Sequence, residues 1–296
     1  MTMTMIGYYP GCSLHGGGRE LDMSLREICR LAGTELREVD DWSCCGATAA
    51  HNLSHDLSVA LPCRNLALAE EQGLSELLAP CAACFSRLKG THVRLTRSAE
   101  LAGRMREITG RGYRGTVRVL NLCEFVARLL AEGLGAKLTN PLALKVAAYY
   151  GCLLSRGEDI VEGQDAENPD GMEAALQAAG CQVVDWNFAT ECCGGGFSMS
   201  LTAAVTSLSG AVLRDARDAG AQAIVTACPM CHSNLDMRQK GMGDFDGASR
   251  MPVLYLTEVL GLAAGLEPKA LGLNLHFTDA MSVASARQVQ PVEGSR

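Results

Sequence analysis

Long apolar runs are missing from this 296-residue sequence, and no stretch approaches the roughly 20 residues that a membrane span requires. The opening Met1-Thr2-Met3-Thr4-Met5 has neither the basic residues nor the apolar run of a signal peptide, so a cytoplasmic protein is expected. Positive charge is scarce as well. The 26 Lys and Arg are outnumbered by 33 Asp and Glu, and the resulting net charge of −7 disfavours nucleic acid, which selects basic surfaces. Only the segment from Arg87 to Arg118 runs the other way, with nine Lys or Arg against Glu100 and Glu107. A solvated helix face accounts for it more simply than a docking patch for an acidic partner or an anionic substrate. Fingerprints for nucleotide, flavin and quinone are also lacking, since an isolated Gly194-Gly195-Gly196 does not make one.

Cysteine is what the sequence has in excess. Fourteen are present, and in a reducing compartment closely spaced cysteines read as metal ligands before disulfides. Ten of them repeat in order and in context. Tyr8-Tyr9-Pro10-Gly11-Cys12 is echoed by Ala148-Tyr149-Tyr150-Gly151-Cys152, Cys44-Cys45-Gly46 by Cys192-Cys193-Gly194, and Cys81-Ala82-Ala83-Cys84 by Cys228-Pro229-Met230-Cys231. The steps nearly agree: 32 residues from Cys12 to Cys44 against 40 from Cys152 to Cys192, then 36 from Cys45 to Cys81 against 35 from Cys193 to Cys228. Val119-Leu120-Asn121-Leu122-Cys123-Glu124 returns as Val253-Leu254-Tyr255-Leu256-Thr257-Glu258. An internal duplication follows.

Within each half, short apolar runs alternate with amphipathic stretches, the pattern of βαβ units and a mainly parallel sheet flanked by helices. Ile6 to Tyr9 and Val146 to Tyr150 read as strands ending at Gly-Cys. Leu77 to Ala79 and Ala223 to Thr226 read as strands ending at Cys-x-x-Cys, with helices following Cys84 and Cys231. Loops at the carboxyl ends of parallel strands are where such sheets place ligands, so sequence-distant thiols are brought together there. The expected domains are residues 1–140 and 141–296, joined near Ala136 to Pro141. Ser155 to Gly171 reads as an inserted acidic loop, and the chain beyond about Pro268 as a tail with little pattern.

Zinc closes its shell with four ligands, whereas each half offers five, and adjacent cysteines in Cys-Cys-Gly do not readily aim at one tetrahedral ion. An iron–sulfur core accepts neighbouring thiolates on different metal atoms. Gly46 and Gly194 permit positive φ and leave N–H groups free to point at sulfur; Gly11 and Gly151 act likewise or serve as turn glycines.

At these residues the sequence resembles the catalytic-subunit family of heterodisulfide reductase, whose two cysteine-rich CCG domains share this motif order, over the chain to about residue 265. The resemblance implies two noncubane [4Fe-4S] clusters. One would be held by Cys12, Cys44, Cys45, Cys81 and Cys84, the other by Cys152, Cys192, Cys193, Cys228 and Cys231. It also implies a catalytic subunit that reduces or forms disulfide or sulfane-sulfur bonds between the two clusters. A flavoprotein, an iron–sulfur subunit and a sulfur substrate, free or on a carrier protein, would be its partners. The Ala, Arg and Gly content favours bacterial sulfur metabolism over methanogenesis. Two other readings stand beside this one: an electron-transfer CCG subunit of a lactate-, glycolate- or succinate-type dehydrogenase, and a zinc-bearing scaffold.

His232, directly after Cys231, is the candidate catalytic proton source, or else a residue that only supports the site by a hydrogen bond. His15 carries the same ambiguity. Cys29, Cys63, Cys123 and Cys181 fall outside the repeat and read as buried packing residues. Trp42 and Trp186, ahead of the two Cys-Cys-Gly motifs, read as ordinary core.

Overall fold

The computed structural model of the chain describes residues 4–47, 50–157, 160 and 165–285. Part of the expected acidic loop, and residues 286–296 of the tail, lie outside the described residues.

The first half runs β1 (Thr4–Tyr8), α1 (Arg19–Ala32), β2 (Thr34–Glu38), α2 (His55–Glu71), β3 (Glu76–Leu78), α3 (Ala82–Arg97), α4 (Ala99–Thr109), β4 (Arg118–Leu120) and α5 (Leu122–Ala131). The second runs β5 (Lys145–Tyr149), β6 (Gln182–Val183), α6 (Thr202–Asp218), β7 (Ala223–Thr226), α7 (Pro229–Met237), β8 (Val253–Tyr255) and α8 (Leu256–Ala263). Each half forms one four-stranded sheet, in the order β2-β1-β3-β4 and β6-β5-β7-β8, and every strand pair is parallel. The duplication is therefore structural: two α/β repeats, each a small parallel sheet flanked by helices.

Local chemistry fixes the element ends. The Ser54 and Ser98 hydroxyls accept from the Leu57 and Leu101 amides at the starts of α2 and α4. Asn121 and Glu124 form a reciprocal capping box at α5. In the second repeat Glu258 keeps half of that device, accepting the Tyr255 amide at 2.8 Å. The helices expected after Cys84 and Cys231 begin earlier, at Ala82 and Pro229, so both cysteines sit in first turns and Cys81 and Cys228 are the flanking residues. Proline suits the first helical position, where no amide donor is needed, and α7 starts accordingly.

One continuous apolar core spans both repeats, from Ile6 and Tyr8 through Phe125 to Val146 and Leu260. Helices α1 and α8 meet across the seam, where Ser24 Oγ and Thr257 Oγ1 share a buried hydrogen bond of 2.7 Å. The tail is more ordered than its sequence suggests. Leu271 and Leu273 are buried, and Asp236 on α7 accepts the Phe277 and Thr278 amides at 2.7 and 2.9 Å. Four of the nine basic residues of the segment from Arg87 to Arg118 pair with acids, Arg104 with Asp56, Arg111 with Glu71, Arg114 with Glu70 and Arg118 with Glu76.

Candidate functional site

In each sheet the first strand lies between the second and the third, which puts a topological switch point at the carboxyl ends of β1 and β3, and of β5 and β7. Cys12, Cys44-Cys45 and Cys81 leave the ends of β1, β2 and β3; Cys152, Cys192-Cys193 and Cys228 leave those of β5, β6 and β7. The sequence order is thereby folded into two equivalent thiol groups.

All fourteen cysteines are free thiols. Cys45 Sγ lies 3.4 Å from Cys84 Sγ, and Cys193 Sγ 3.5 Å from Cys231 Sγ. The Gly46 and Gly194 amides point at Cys44 and Cys192 Sγ, at 3.4 and 3.3 Å, as their positive φ allows. Hydrogen bonds from Cys44 and Cys84 bring the Cys45 thiol down to about 4, and one from Cys152 brings Cys192 down to about 5. Cys81 is held well below the usual thiol range, chiefly by a hydrogen bond with Cys228 of the other repeat and then by one with Cys84. Cys81 and Cys228 thus influence each other's charge across the seam. Cys29, Cys63, Cys123 and Cys181 are buried outside these groups, and burial raises each of their thiols, as packing residues require.

The expected pair of noncubane [4Fe-4S] clusters is not what this geometry provides. Among the described residues, the one set of three or more His, Cys, Asp or Glu side chains whose ligand atoms all lie within 4.8 Å of one another is His232, Asp236 and His276, which contains no cysteine. Among these residues, no three sulfurs of either half lie within 4.8 Å of one another. Cys12 and Cys44 are exposed at the rim, Cys45 pairs with Cys84, and Cys81 turns across the seam to Cys228.

Gly11 and Gly151 precede the first cysteine of each group with φ of 62° and 63°. A Cβ at Gly11 would stand 2.8 Å from Cys84 Sγ, and one at Gly151 3.1 Å from Cys231 Sγ. The last sulfur of each group thus occupies the space a side chain would need. Gly11→Ala is expected to cost about 1–2 kcal/mol for the left-handed backbone alone and to displace the Cys84 sulfur. Denaturant unfolding checks this, and an unchanged midpoint would contradict the crowding.

A cavity of about 630 Å³ opens between the repeats. Its floor is the second thiol group, Cys152, Cys192, Cys193, Cys228 and Cys231, and its opposite wall comes from the first repeat, with Ala82, Ala83 and Ser86 of α3 and the Arg87–His51 pair. His232 is not part of that wall. Its ring is 2% exposed, stacks on Tyr255 at 4.1 Å between centroids and places Nε2 3.1 Å from the Val253 carbonyl. Burial brings its pKa down to about 3, so it stays neutral, in a geometry suited to support rather than proton delivery. His15 lies outside, beside Trp42 and Glu38.

Sequence reasoning missed the ionisable network behind the second group. His276, from the tail, bonds Glu258 at 2.8 Å and the Val253 carbonyl at 2.9 Å, and Glu20 of the first repeat stands 3.7 Å from His232 Nδ1. Despite burial, Glu258 raises His276 to about 9. A histidine raised in the folded state contributes stability that is full below the unfolded pKa of about 6.5 and is lost as pH rises towards 9. Unfolding free energy is expected to fall across that window by up to about 1.4 kcal/mol per pH unit. Glu20, Glu258, Asp236 and His232 are the groups facing the imidazole. Urea titrations from pH 6 to 9 on the wild type and His276→Gln check this, and equal slopes in the two would contradict it. The available signal was the repeated segment Val253 to Glu258, whose Tyr255 and Glu258 stand where Asn121 and Glu124 form their cap.

Comparison with known proteins agrees with the duplication. The family model for the cysteine-rich domain, CCG, matches residues 6–89 and again 146–236. The chain is 33% identical over 278 residues to the 8-methylmenaquinol:fumarate reductase membrane anchor subunit of Wolinella succinogenes, covering 92% of this chain and 96% of that one. It is 32% identical over 283 residues to one subunit of the ferredoxin:CoB-CoM heterodisulfide reductase of Methanosarcina mazei, covering 92% and 93%. A hypothetical protein from Helicobacter pylori of known crystal structure shares the fold with a TM-score of 0.74 at 14% identity, over 94% of this chain and 52% of that one. Among the described residues no helix is long and apolar enough to cross a membrane. Two thiol groups at two switch points, two matches to one domain model and full-length relatives lead to a single assignment: the chain belongs to the cysteine-rich CCG domain family and is related to the heterodisulfide reductase subunits of that family.

Proposed function

We propose that the chain is the sulfur-handling subunit of a cytoplasmic oxidoreductase complex of bacterial sulfur metabolism. Its ten motif cysteines serve as metal ligands, and a disulfide or sulfane sulfur is reduced or formed in the cavity between the repeats. The observation that carries this reading is the cavity between the repeats, whose floor is the second thiol group, Cys228 of which interacts with Cys81 of the first. Cleaving a disulfide takes two electrons and two protons and yields two thiols, and two communicating sulfur groups are suited to that stoichiometry. The electrons come from partner subunits, an iron–sulfur protein and a flavoprotein. Gly46 and Gly194 orient the Cys-Cys turns, Gly11 and Gly151 admit the closing sulfurs, and His232 supports Cys231 from behind.

A second reading, electron transfer within a dicarboxylate-linked complex, is favoured by the full-length similarity to the fumarate reductase subunit. One experiment separates the two. The complex is purified anaerobically, its iron and acid-labile sulfide are measured, and oxidation of reduced viologen is followed with disulfides, persulfides or fumarate. Sulfur-dependent oxidation is expected; oxidation by fumarate alone selects the second reading.

A further inference from the structure

Two histidines and an acid behind the second thiol group converge on a single point. His232 and Asp236 are four residues apart on α7 and share one face of that helix, and His276 of the tail meets them there. His232 Nε2 and His276 Nδ1 are 3.4 Å apart. Two nitrogens on one tetrahedral zinc, each at about 2.0–2.1 Å, stand about 3.3–3.4 Å from each other, so the imidazoles already have the spacing of ligands to a common ion. The Val253 carbonyl completes a triangle with them, 3.1 Å from His232 Nε2 and 2.9 Å from His276 Nδ1. An oxygen of Asp236 lies within 4.8 Å of a nitrogen of each ring and adds an anionic donor. The set is two nitrogens and two oxygens, without sulfur.

The surroundings support the same reading. The far nitrogen of each ring faces a carboxylate: His276 Nε2 is 2.8 Å from Glu258, and His232 Nδ1 is 3.7 Å from Glu20. Carboxylates in that position fix the orientation and tautomer of metal-bound histidines. Asp236 is held in its turn by the Phe277 and Thr278 amides. Glu20, Asp236 and Glu258 are all buried, and buried carboxylates are ordinarily paired or bound to metal. The His276 side chain is fully covered, yet Leu275 and Phe277 on either side of it are exposed. The tail therefore closes the site from the surface, and its docking gives an ion a way in.

We propose that His232, Asp236, His276 and the Val253 carbonyl form a structural zinc site that ties the tail to α7 and β8. Nitrogen and oxygen donors in a closed, buried shell suit zinc in a holding role, with no position left for a reacting molecule. Binding displaces protons from His232 Nε2 and His276 Nδ1, and the opposite nitrogens then donate to Glu20 and Glu258. Because His232 follows Cys231, the ion steadies the helix that carries the second thiol group. The inference does not rest on the proposed sulfur chemistry.

The test uses the anaerobic full-length chain crystallised with excess zinc chloride. Diffraction is recorded on both sides of the zinc absorption edge, so that each zinc is placed separately from any held by the cysteines. An anomalous peak about 2.0–2.1 Å from both His232 Nε2 and His276 Nδ1 is expected. His276→Gln and Asp236→Asn should each lose that peak, and one zinc per chain by metal analysis after dialysis, whereas Cys81→Ser/Cys228→Ser should keep it. Glu258→Gln, which reaches the ion only through His276, should weaken zinc at this site about 10-fold in competition with a chelator. Zinc at the cysteines only, no bound zinc at all, or a zinc count unchanged in His276→Gln and Asp236→Asn overturns the proposal. A chain that holds this zinc and turns over no sulfur compound would sink the proposed function and leave this inference standing.

Discussion

Replacing Cys228 by serine is expected to lower sulfur-dependent electron transfer at least 100-fold, and Cys81→Ser to do the same although it lies in the other repeat. Each sulfur is buried and acts on the other's charge across the seam, so either change is felt in both halves. Serine is nearly isosteric but offers a hard hydroxyl in place of a thiolate, and a hydroxyl neither ligates soft metals comparably nor carries negative charge near neutral pH. Serine at Cys29, Cys63, Cys123 or Cys181 supplies the control. These thiols are buried away from the groups, and activity within about twofold of wild type is expected once folded protein is compared. Reduced-viologen oxidation per folded chain, with bound metal measured in parallel, decides the matter. Equal losses at motif and non-motif positions would show that folding alone was being probed.

The largest expected loss of stability comes from Glu258→Ala. Glu258 is fully buried, accepts the Tyr255 amide at 2.8 Å and pairs with His276 at 2.8 Å. Its removal takes the acceptor from the buried Tyr255 amide and from His276 Nε2, and empties the space the carboxylate fills. Breaking one partner out of such a buried pair costs about 3–5 kcal/mol. Glu258→Gln keeps an acceptor for the amide and should lose distinctly less. Guanidinium unfolding at pH 6.5 measures both variants, and a loss under about 1 kcal/mol for Glu258→Ala would mean that the pair contributes little net stability. The same variant should flatten the alkaline limb attributed to His276, because the carboxylate holds that proton.

Much of this architecture is legible in the sequence because it repeats. Ala223 to Thr226 reads as a strand from its apolar run and is one, and the other three motif strands fall within one or two residues of their expected positions. A doubled Gly-Cys, Cys-Cys-Gly and Cys-x-x-Cys order leaves little freedom over where the thiols go once the strands are parallel. Which sulfur meets which is not legible. Periodicity describes each repeat alone, whereas the interaction of Cys81 with Cys228 depends on how α1 and α8 pack, and that is set by core residues spread over both halves. The resemblance to heterodisulfide reductase implies two five-cysteine sites, whereas the one tight set of candidate ligands among the described residues holds no cysteine. The tail escapes sequence reasoning for a different reason. Residues 266–278 have no regular pattern because they are fixed by single contacts, two amides on Asp236 and one imidazole on Glu258, and isolated contacts leave no periodic trace.

Thiol footprinting in the presence of substrate tests the central claim most directly. Cys152 and Cys192 are partly exposed and line the cavity, while Cys12 and Cys44 are exposed outside it. With the anaerobic chain, iodoacetamide and peptide mass spectrometry, a bound disulfide or persulfide should slow labelling of Cys152 and Cys192 at least 10-fold and leave Cys12 and Cys44 unchanged. Protection of all four alike, or of none, would contradict a sulfur site in the cavity between the repeats.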